Sequence, residues 1–453
     1  MRKRRTRRVS KSPPRSDGAK QQSQAEEVGN QLERLFTAEV VDQLRAEAGY
    51  NPRQRLVTAY RLMLVVVETV LLGGSGGILS FASMRALFIK RFGFVRPCPF
   101  QLRFKQPAAA KFFRAALEHL VGAVVTSSGL RLSGPLSHFT DVRIYDGTGQ
   151  RVPPRGRETL PACGATGAGT KWVVGYSIKT GLITHGTMAA ETASETPLWR
   201  KLVPNIERNV LYLLDLGFFE RQLFVDALSA GAHVLMRLKS NAKVRVVGHM
   251  NDDGTIEQLN ERSLAYHIKY LNRRKGTTFD FDVLWGEGKR AARLRLVGYA
   301  HKHNDIRWYL TTVGRDQLAT SEIVEAYRLR WCIELLFREL KQNMDLGRSF
   351  TAHPDAIEAL TYGAMLGHVA VRALRVQAAL ANEIPLTQLR PLACLRVAKA
   401  FAQDIIDSLL GSGLKPWSKL LIDIGEAFMQ LALEKKTSRS RRRIPLQMGA
   451  LGA

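Results

Sequence analysis

Cysteine is scarce in this 453-residue chain and never clustered. Cys98, Cys163, Cys332 and Cys394 lie far apart with no C-x-x-C pair, which excludes a cysteine zinc site and a disulfide framework and fits a reducing cytoplasm. Long apolar runs are missing as well. The most apolar stretch, residues 62–72, is interrupted by Glu68 and ends at Gly73-Gly74, short of the ~20 apolar residues a membrane span needs. No apolar segment follows Arg7-Arg8, so the basic start does not read as an export signal. Negative charge is in deficit: 40 Asp and Glu face 67 Lys and Arg, for a net charge of +27. That imbalance narrows the partners to a polyanion, with nucleic acid ahead of an anionic membrane surface.

What is present reads as a globular protein, 45% hydrophobic and 24% charged, too long for one small core. Residues 1–28 carry Arg2, Lys3, Arg4, Arg5, Arg7, Arg8, Lys11 and Arg15 among few hydrophobics. They read as a disordered basic arm, either gaining affinity from phosphates or serving only solubility. Helical periodicity over 32–44, 53–72, 84–92 and 108–125 predicts a helical N-terminal domain at 29–135, which would grip DNA in a DNA-acting protein. From 136 to 350 strand and helix signals alternate. Residues 142–145, 172–178 and 182–184 suggest an antiparallel meander, with a polar, glycine-rich loop over 147–170. A strand at 209–214, a helix at 220–230 and a strand at 233–238 follow. This β-β-β then β-α-β order is what a ribonuclease H-like fold requires. At about 240–305 the pattern turns strand-like and basic, with Arg273-Arg274-Lys275 and Lys289-Arg290, and predicts a β-rich insertion before the core resumes at 308–313. Residues 351–435 read as helical, and 436–453, with Arg439 and Arg441 to Arg443, as a second basic tail. The expected class is α/β, a mixed-sheet core interrupted by the insertion and flanked by helical N-terminal and C-terminal domains.

One helical face stands out. A helix over 327–341 would carry Tyr327, Arg330, Glu334 and Lys341 at offsets of 0, 3, 7 and 14. At ~3.6 residues per turn these fall within roughly 60° of one another. Leu329, Ile333, Leu336, Phe337 and Leu340 would form the apolar stripe beside them. A carboxylate aligned with a guanidinium, an ammonium and a phenol suits a metal ion held next to phosphates; the plainer alternative is a solvated face with ordinary ion pairs four apart. A metal site needs more acids. Asp146, in Ile-Tyr-Asp-Gly-Thr, and Asp215, in Leu-Leu-Asp-Leu-Gly-Phe-Phe, each follow an apolar strand, where a lone charge is costly without a counter-charge. Asp-Gly is also a common turn pair, and Asp215 could simply cap the next helix. As a set, three carboxylates suit magnesium or manganese, and two such ions can activate a water or a 3′-hydroxyl at a phosphodiester.

Two loops fall short of nucleotide-binding patterns. Asp146-Gly147-Thr148-Gly149 lacks a third glycine and runs into Pro153-Pro154, while 164–171 ends Gly-Thr-Lys where a P-loop has Gly-Lys-Thr. Asp-Gly-Thr at 146, Asp-x-Gly-Phe-Phe from 215, Arg237-x-Lys239 and Tyr-Arg-x-Arg-Trp-x-Ile-Glu-x-x-Phe-x-x-x-Lys over 327–341 together resemble the DDE transposases of bacterial insertion sequences. Within them the match is to the group with a Y-R-E-K third motif, over about residues 140–350. The resemblance implies a ribonuclease H-like catalytic domain with its insertion between the second and third acids. It implies cut-and-paste transposition with Mg²⁺ or Mn²⁺, two ions per site. The partner would be double-stranded DNA, both transposon ends and target, bound by a homodimer that pairs the ends near the nucleoid and not at a membrane. By position, Asp146, Asp215 and Glu334 would ligate the metals; Tyr327, Arg330 and Lys341, with Arg237 and Lys239, would hold DNA. Asp141 is the fallback for the first acid. Trp285 is a candidate for stacking a flipped base, set against a plain core tryptophan. The alternatives are a nuclease without strand transfer and a non-catalytic DNA-binding descendant.

Overall fold

The computed structural model describes residues 16–434 except 53–54, 74–79, 165–166, 252, 272–273, 289–290, 304 and 345. Residues 1–15 of the expected arm, the basic tail, and Arg273, Lys289 and Arg290 lie outside the described residues. The rest of the arm corrects the expectation of disorder. It belongs to a helix, α1 (Ser16–Leu35), which buries Ala25, Val28, Leu32 and Leu35 at three- and four-residue spacing. Five helices follow: α2 (Ala38–Glu47), α3 (Ala59–Leu72), α4 (Phe81–Phe92), α5 (Pro97–Leu102) and α6 (Pro107–Ser128). The side chains of Thr37, Thr58 and Ser80 accept free amides at the starts of α2, α3 and α4, and Pro97 and Pro107 open the next two, where no amide is needed.

Among the described residues, ten strands then build one sheet. β1 (Asp141–Val152), β2 (Ala168–Ser177) and β3 (Ile183–Ala190) are antiparallel neighbours. Helix α7 (Glu195–Leu202) leads to β4 (Val210–Leu214), and α8 (Arg221–Ala230) to β5 (His233–Arg237); β4 pairs parallel with both β1 and β5. The insertion supplies β6 (Val244–Met250), β7 (Ile256–Ser263), α9 (Leu264–Ile268), β8 (Thr278–Trp285) and β9 (Ala292–Lys302), and β10 (Asp305–Thr311) returns to the core. The order is β3-β2-β1-β4-β5-β10-β9-β8-β6-β7, so the inserted strands extend the core sheet through the antiparallel β5–β10 pair. The glycine-rich segment after Asp146 is corrected in part. β1 and β2 stay paired as far as Val152 and Ala168, and only residues 153–167 remain as the connection.

Strand alternation divides the apolar side chains between two cores. Val142, Ile144, Val174, Leu211 and Leu213 belong to one; Tyr145, Val173, Tyr212, Leu214 and Met236 belong to the other, which Trp199 of α7 and Phe224 of α8 complete. The first core is closed by α10 (Thr320–Arg328), α11 (Trp331–Asn343) and α12 (Pro354–Ala381). Last come α13 (Pro391–Ala400), α14 (Ala402–Leu409) and α15 (Trp417–Leu431). Helix α12, buried along most of its length, packs against α1, α3, α6, α13 and α15, so the helices expected as two separate bodies share one core. Its crossing with α3 depends on glycine: a Cβ on Gly363 would stand 2.5 Å from Val66, and one on Gly367 2.8 Å from Val70. Close-packed interiors tolerate no such approach.

A charged network lies buried among the inserted strands. Asp280, 2% exposed, accepts hydrogen bonds from Arg295 Nη2 at 2.6 Å, Arg315 Nη2 at 2.7 Å and Thr320 Oγ1 at 2.7 Å. Arg295 Nη1 donates to the carbonyls of Gly314 and Leu318. Since Thr320 opens α10, the network fastens β8 and β9 to the head of the helix that leads to Tyr327 and Arg330.

Candidate active site

Register alone brings two of the predicted acids together. Tyr145 of β1 pairs with Leu214 of β4, and Leu214 with Met236 of β5. The next residues along these three parallel strands are Asp146, Asp215 and Arg237, a row across the sheet at ~4.8 Å strand spacing. Asp146 is a strand residue, not a turn, and alternation puts it on the side of Val142 and Ile144, toward α11. Asp215 has extended backbone and makes no side-chain cap for the short turn after it, which removes the capping alternative. The fallback, Asp141, is the first residue of β1, where its Oδ1 accepts from Ser177 Oγ at 2.9 Å and from the Lys179 amide at 3.3 Å, a structural role.

The single helix expected over 327–341 is corrected to two. α10 ends at Arg328 and α11 begins at Trp331. Leu329 and Arg330 keep right-handed helical backbone, but the hydrogen bonds tighten to a three-residue spacing, with the Arg330 amide donating to Tyr327 O and the Ile333 amide to Arg330 O. Such a joint turns ~3.0 residues per turn instead of ~3.6 and so re-aims α11 relative to α10. Arg330 Nη1 donates to Asp146 Oδ2 at 2.9 Å, and Nη2 to Glu334 Oε1 at 2.5 Å. The Tyr327 hydroxyl donates to Leu214 O at 3.5 Å, immediately before Asp215. Asp146, Asp215, Tyr327, Arg330 and Glu334 therefore converge. Lys341 stands apart, beside Thr148 and Gln150 further along β1.

Arg237 and Lys239 belong to a basic track. A cleft of about 690 Å³ is lined by Asp215, Arg237, Lys275, Arg307, Arg328, Arg330 and Trp331. Arg237 and Arg307 also line a second cleft of about 1150 Å³, which adds Lys239, Lys243, Arg245 and Trp285. The Trp285 ring packs on Phe219, centroids 4.9 Å apart, and on Phe224, and Trp285 also lines the second cleft.

Two residues of the site carry no assignment from sequence. Trp331 enters the sequence pattern only as part of a motif, yet it is 52% exposed on the cleft rim, unusual for so large an apolar ring. Glu195, at the start of α7, has no sequence signal at all. Its carboxylate leans over Gly147 and Gly217, so that a Cβ on Gly147 would lie 2.5 Å from its Oε1. A fourth acid thus lies on the Gly147 side of β1, within electrostatic reach of Asp146, with Lys171 at 3.7 Å as its counter-charge.

These surroundings tune the proton affinities. Burial pushes the Asp146 carboxyl up to about 6; the Gly147 amide and Arg330 oppose this, and Asp215 and Glu195 add to it. Ionising Asp146 therefore works against the fold. Its contribution to stability is fully present below the ordinary value of 3.8 and is lost as pH rises through about 6. Burial likewise raises the Tyr327 hydroxyl, with Asp215 adding to it, so the phenol stays protonated. An NMR titration of labelled aspartate carboxyls should find Asp146 midway near pH 6, and Glu195→Gln should lower that midpoint. An unmoved midpoint would mean that the Glu195 charge does not reach Asp146 in solution.

Among the described residues, no three His, Cys, Asp or Glu side chains stand close enough to hold a metal ion. The Arg330 guanidinium lies between Asp146 and Glu334. The donor chemistry nonetheless suits a hard divalent ion, with carboxylates only and a cation already standing in. No helix of the described residues is long and apolar enough to cross a membrane.

Comparison with known proteins covers the same stretch of the chain. The family described as Transposase DDE domain matches residues 137–369. The transposase for insertion sequence element IS231F of Bacillus thuringiensis subsp. israelensis is 23% identical over 265 residues, 51% of this chain and 56% of that protein. The chain thus spans little more than half the length of that relative. The transposase for IS231C of Bacillus thuringiensis subsp. berliner is 20% identical over 370 residues, 74% of this chain and 77% of that protein. A solved structure of a piggyBac transposase synaptic complex with hairpin DNA aligns with 92% of this chain and 88% of that chain, at 13% identity and a TM-score of 0.45. The family match takes in all ten strands, Asp146, Asp215 and Glu334, and more than half of the sequence: the chain belongs to the Transposase DDE domain family.

Proposed function

We propose that the protein is the metal-dependent transposase of an insertion sequence, cutting the element's ends by hydrolysis and then joining the freed 3′-hydroxyl to target DNA. The observation that carries this is the row Asp146, Asp215 and Arg237 across three parallel strands, with Glu334 tied to Asp146 through Arg330. The order β3-β2-β1-β4-β5, antiparallel then parallel, supports a ribonuclease H-like core. The names of the relatives support an insertion-sequence element as the substrate. Asp146, Asp215 and Glu334 would hold one or two Mg²⁺ or Mn²⁺ ions, which supply positive charge at the scissile phosphate and an activated oxygen nucleophile.

The chain's own residues bind and orient the substrate. Arg237 and Arg307 are shared by both clefts and, with Lys239 and Lys243, offer a continuous run of cations to a phosphate backbone. The exposed Trp331 ring offers a stacking surface to an unpaired base beside the cut. Tyr327, kept protonated, contributes a neutral hydrogen bond, and Lys341 takes a phosphate further along β1 as a point charge. A homodimer would bring two such sites to paired ends. Pre-cleaved duplex ends copied from the DNA flanking the gene should be joined to a plasmid in Mg²⁺, and uncut ends should first be cleaved. Cutting without joining would leave a nuclease, and the absence of both reactions would overturn the proposal.

A further inference from the structure

Arg330 carries more of the electrostatics of the site than a phosphate clamp needs. Its two amino groups reach two of the three proposed metal ligands, Asp146 at 2.9 Å and Glu334 at 2.5 Å. Among the described residues it is the one cation hydrogen-bonded to either carboxylate. An octahedral Mg²⁺ holds its ligands at ~2.1 Å and so needs neighbouring oxygens about 3 Å apart. A planar guanidinium, with one carboxylate on each arm, is a wider spacer, consistent with the lack of any metal-sized acidic cluster among the described residues. Arg330 also lines the cleft that Arg237, Arg307 and Arg328 make basic, so an entering phosphate would meet the same guanidinium. A phosphate can take both arms of an arginine at once, just as the two carboxylates do.

Resting on the proposed active site, we infer that Arg330 holds the place of the metal in the DNA-free protein, and that a DNA phosphate draws it away so that Asp146 and Glu334 can close on a divalent cation. Metal and DNA then bind with positive coupling. Each raises the affinity for the other by the same factor, as thermodynamic reciprocity demands. Without DNA the free protein stays poorly loaded with metal, and stray phosphodiesters are spared. Arg330 acts here through the carboxylates and is a positioning residue as well as a phosphate contact.

The test counts bound Mn²⁺ by electron paramagnetic resonance on the full chain, with no turnover required. Wild type, Arg330→Gln and the double variant Arg330→Gln/Asp146→Asn are each titrated without DNA. Arg330→Gln should bind Mn²⁺ about 10- to 100-fold more tightly than wild type, the range expected when one or two charge-assisted hydrogen bonds no longer compete. The double variant should lose that gain. Equal affinity in wild type and Arg330→Gln would overturn the inference. A measurement on wild type alone removes dependence on how the variants fold: duplex DNA from the sequence flanking the gene should tighten Mn²⁺, and non-cleaving Ca²⁺ should tighten that DNA. Independent binding of the two would also overturn it. If DNA-bound wild type holds Mn²⁺ no better than Glu334→Gln, the active-site assignment itself fails, which is a separate result.

Discussion

Glu334→Gln should lower end cleavage in Mg²⁺ by about a thousandfold or more while leaving metal-free DNA binding nearly unchanged. The substitution keeps the length and shape of the side chain, and the carboxamide oxygen can still accept from Arg330 Nη2, the bond Glu334 makes now. What it removes is the negative charge that α11 brings to the two acids of the sheet. Losing a ligand charge from a divalent cation weakens transition-state stabilisation by several kcal/mol, and about 4 kcal/mol corresponds to a thousandfold in rate. On the proposed reading DNA affinity rests on other groups, Arg237, Arg307, Lys239 and Lys243, which line the two clefts. Cleavage followed on a sequencing gel, beside a mobility shift on the same duplex without divalent metal, separates the two. Full cleavage by the variant would remove Glu334 from the site, and loss of binding with cleavage would mean misfolding instead.

Asp280→Asn should cost about 3–5 kcal/mol of folding stability, the range for removing one partner from a buried charge network. Typical domains hold only about 5–15 kcal/mol in total, so the change is severe. The asparagine keeps the outline of the side chain but leaves Arg295, itself 5% exposed, without its carboxylate. Arg315 still has Asp282 at 2.7 Å, so the damage concentrates on Arg295 and on Thr320, whose hydroxyl now donates to Asp280. Because Thr320 opens α10, cleavage should also become more temperature-sensitive than in wild type. Urea unfolding gives the first number. A shift below about 1 kcal/mol would show that solvent reaches the network and that Asp280 does not fasten β8 to α10.

Much of the candidate site's geometry was legible from where apolar runs stop. Asp146 and Asp215 each come directly after an apolar run, and parallel pairing turns that shared position into adjacency. Arg237 was legible for the same reason. The break between α10 and α11 was not, since neither Leu329 nor Arg330 carries a glycine or proline signal, and both keep helical backbone angles. Only the hydrogen-bond spacing changes. Glycines 147 and 149 read as loop because glycine weakens strands, whereas here the absent side chains leave room for Glu195 and Glu191. Glu195 itself was hidden by distance: it lies 49 positions from Asp146, on a short helix. The insertion was readable as β-rich, but alternation along a strand says nothing about which edge it will join.

That edge has a mechanical meaning. Hydrogen bonds run unbroken from β3 to β7, so the inserted strands and the core bend as one plate rather than swinging as a flap on a hinge. Trimming the chain from β6 to β10 would strip the covered side of β5 and leave its amides and carbonyls bare, an invitation to pair with another molecule. A shortened version of this protein would therefore fail first as an aggregate, before its chemistry could be assayed.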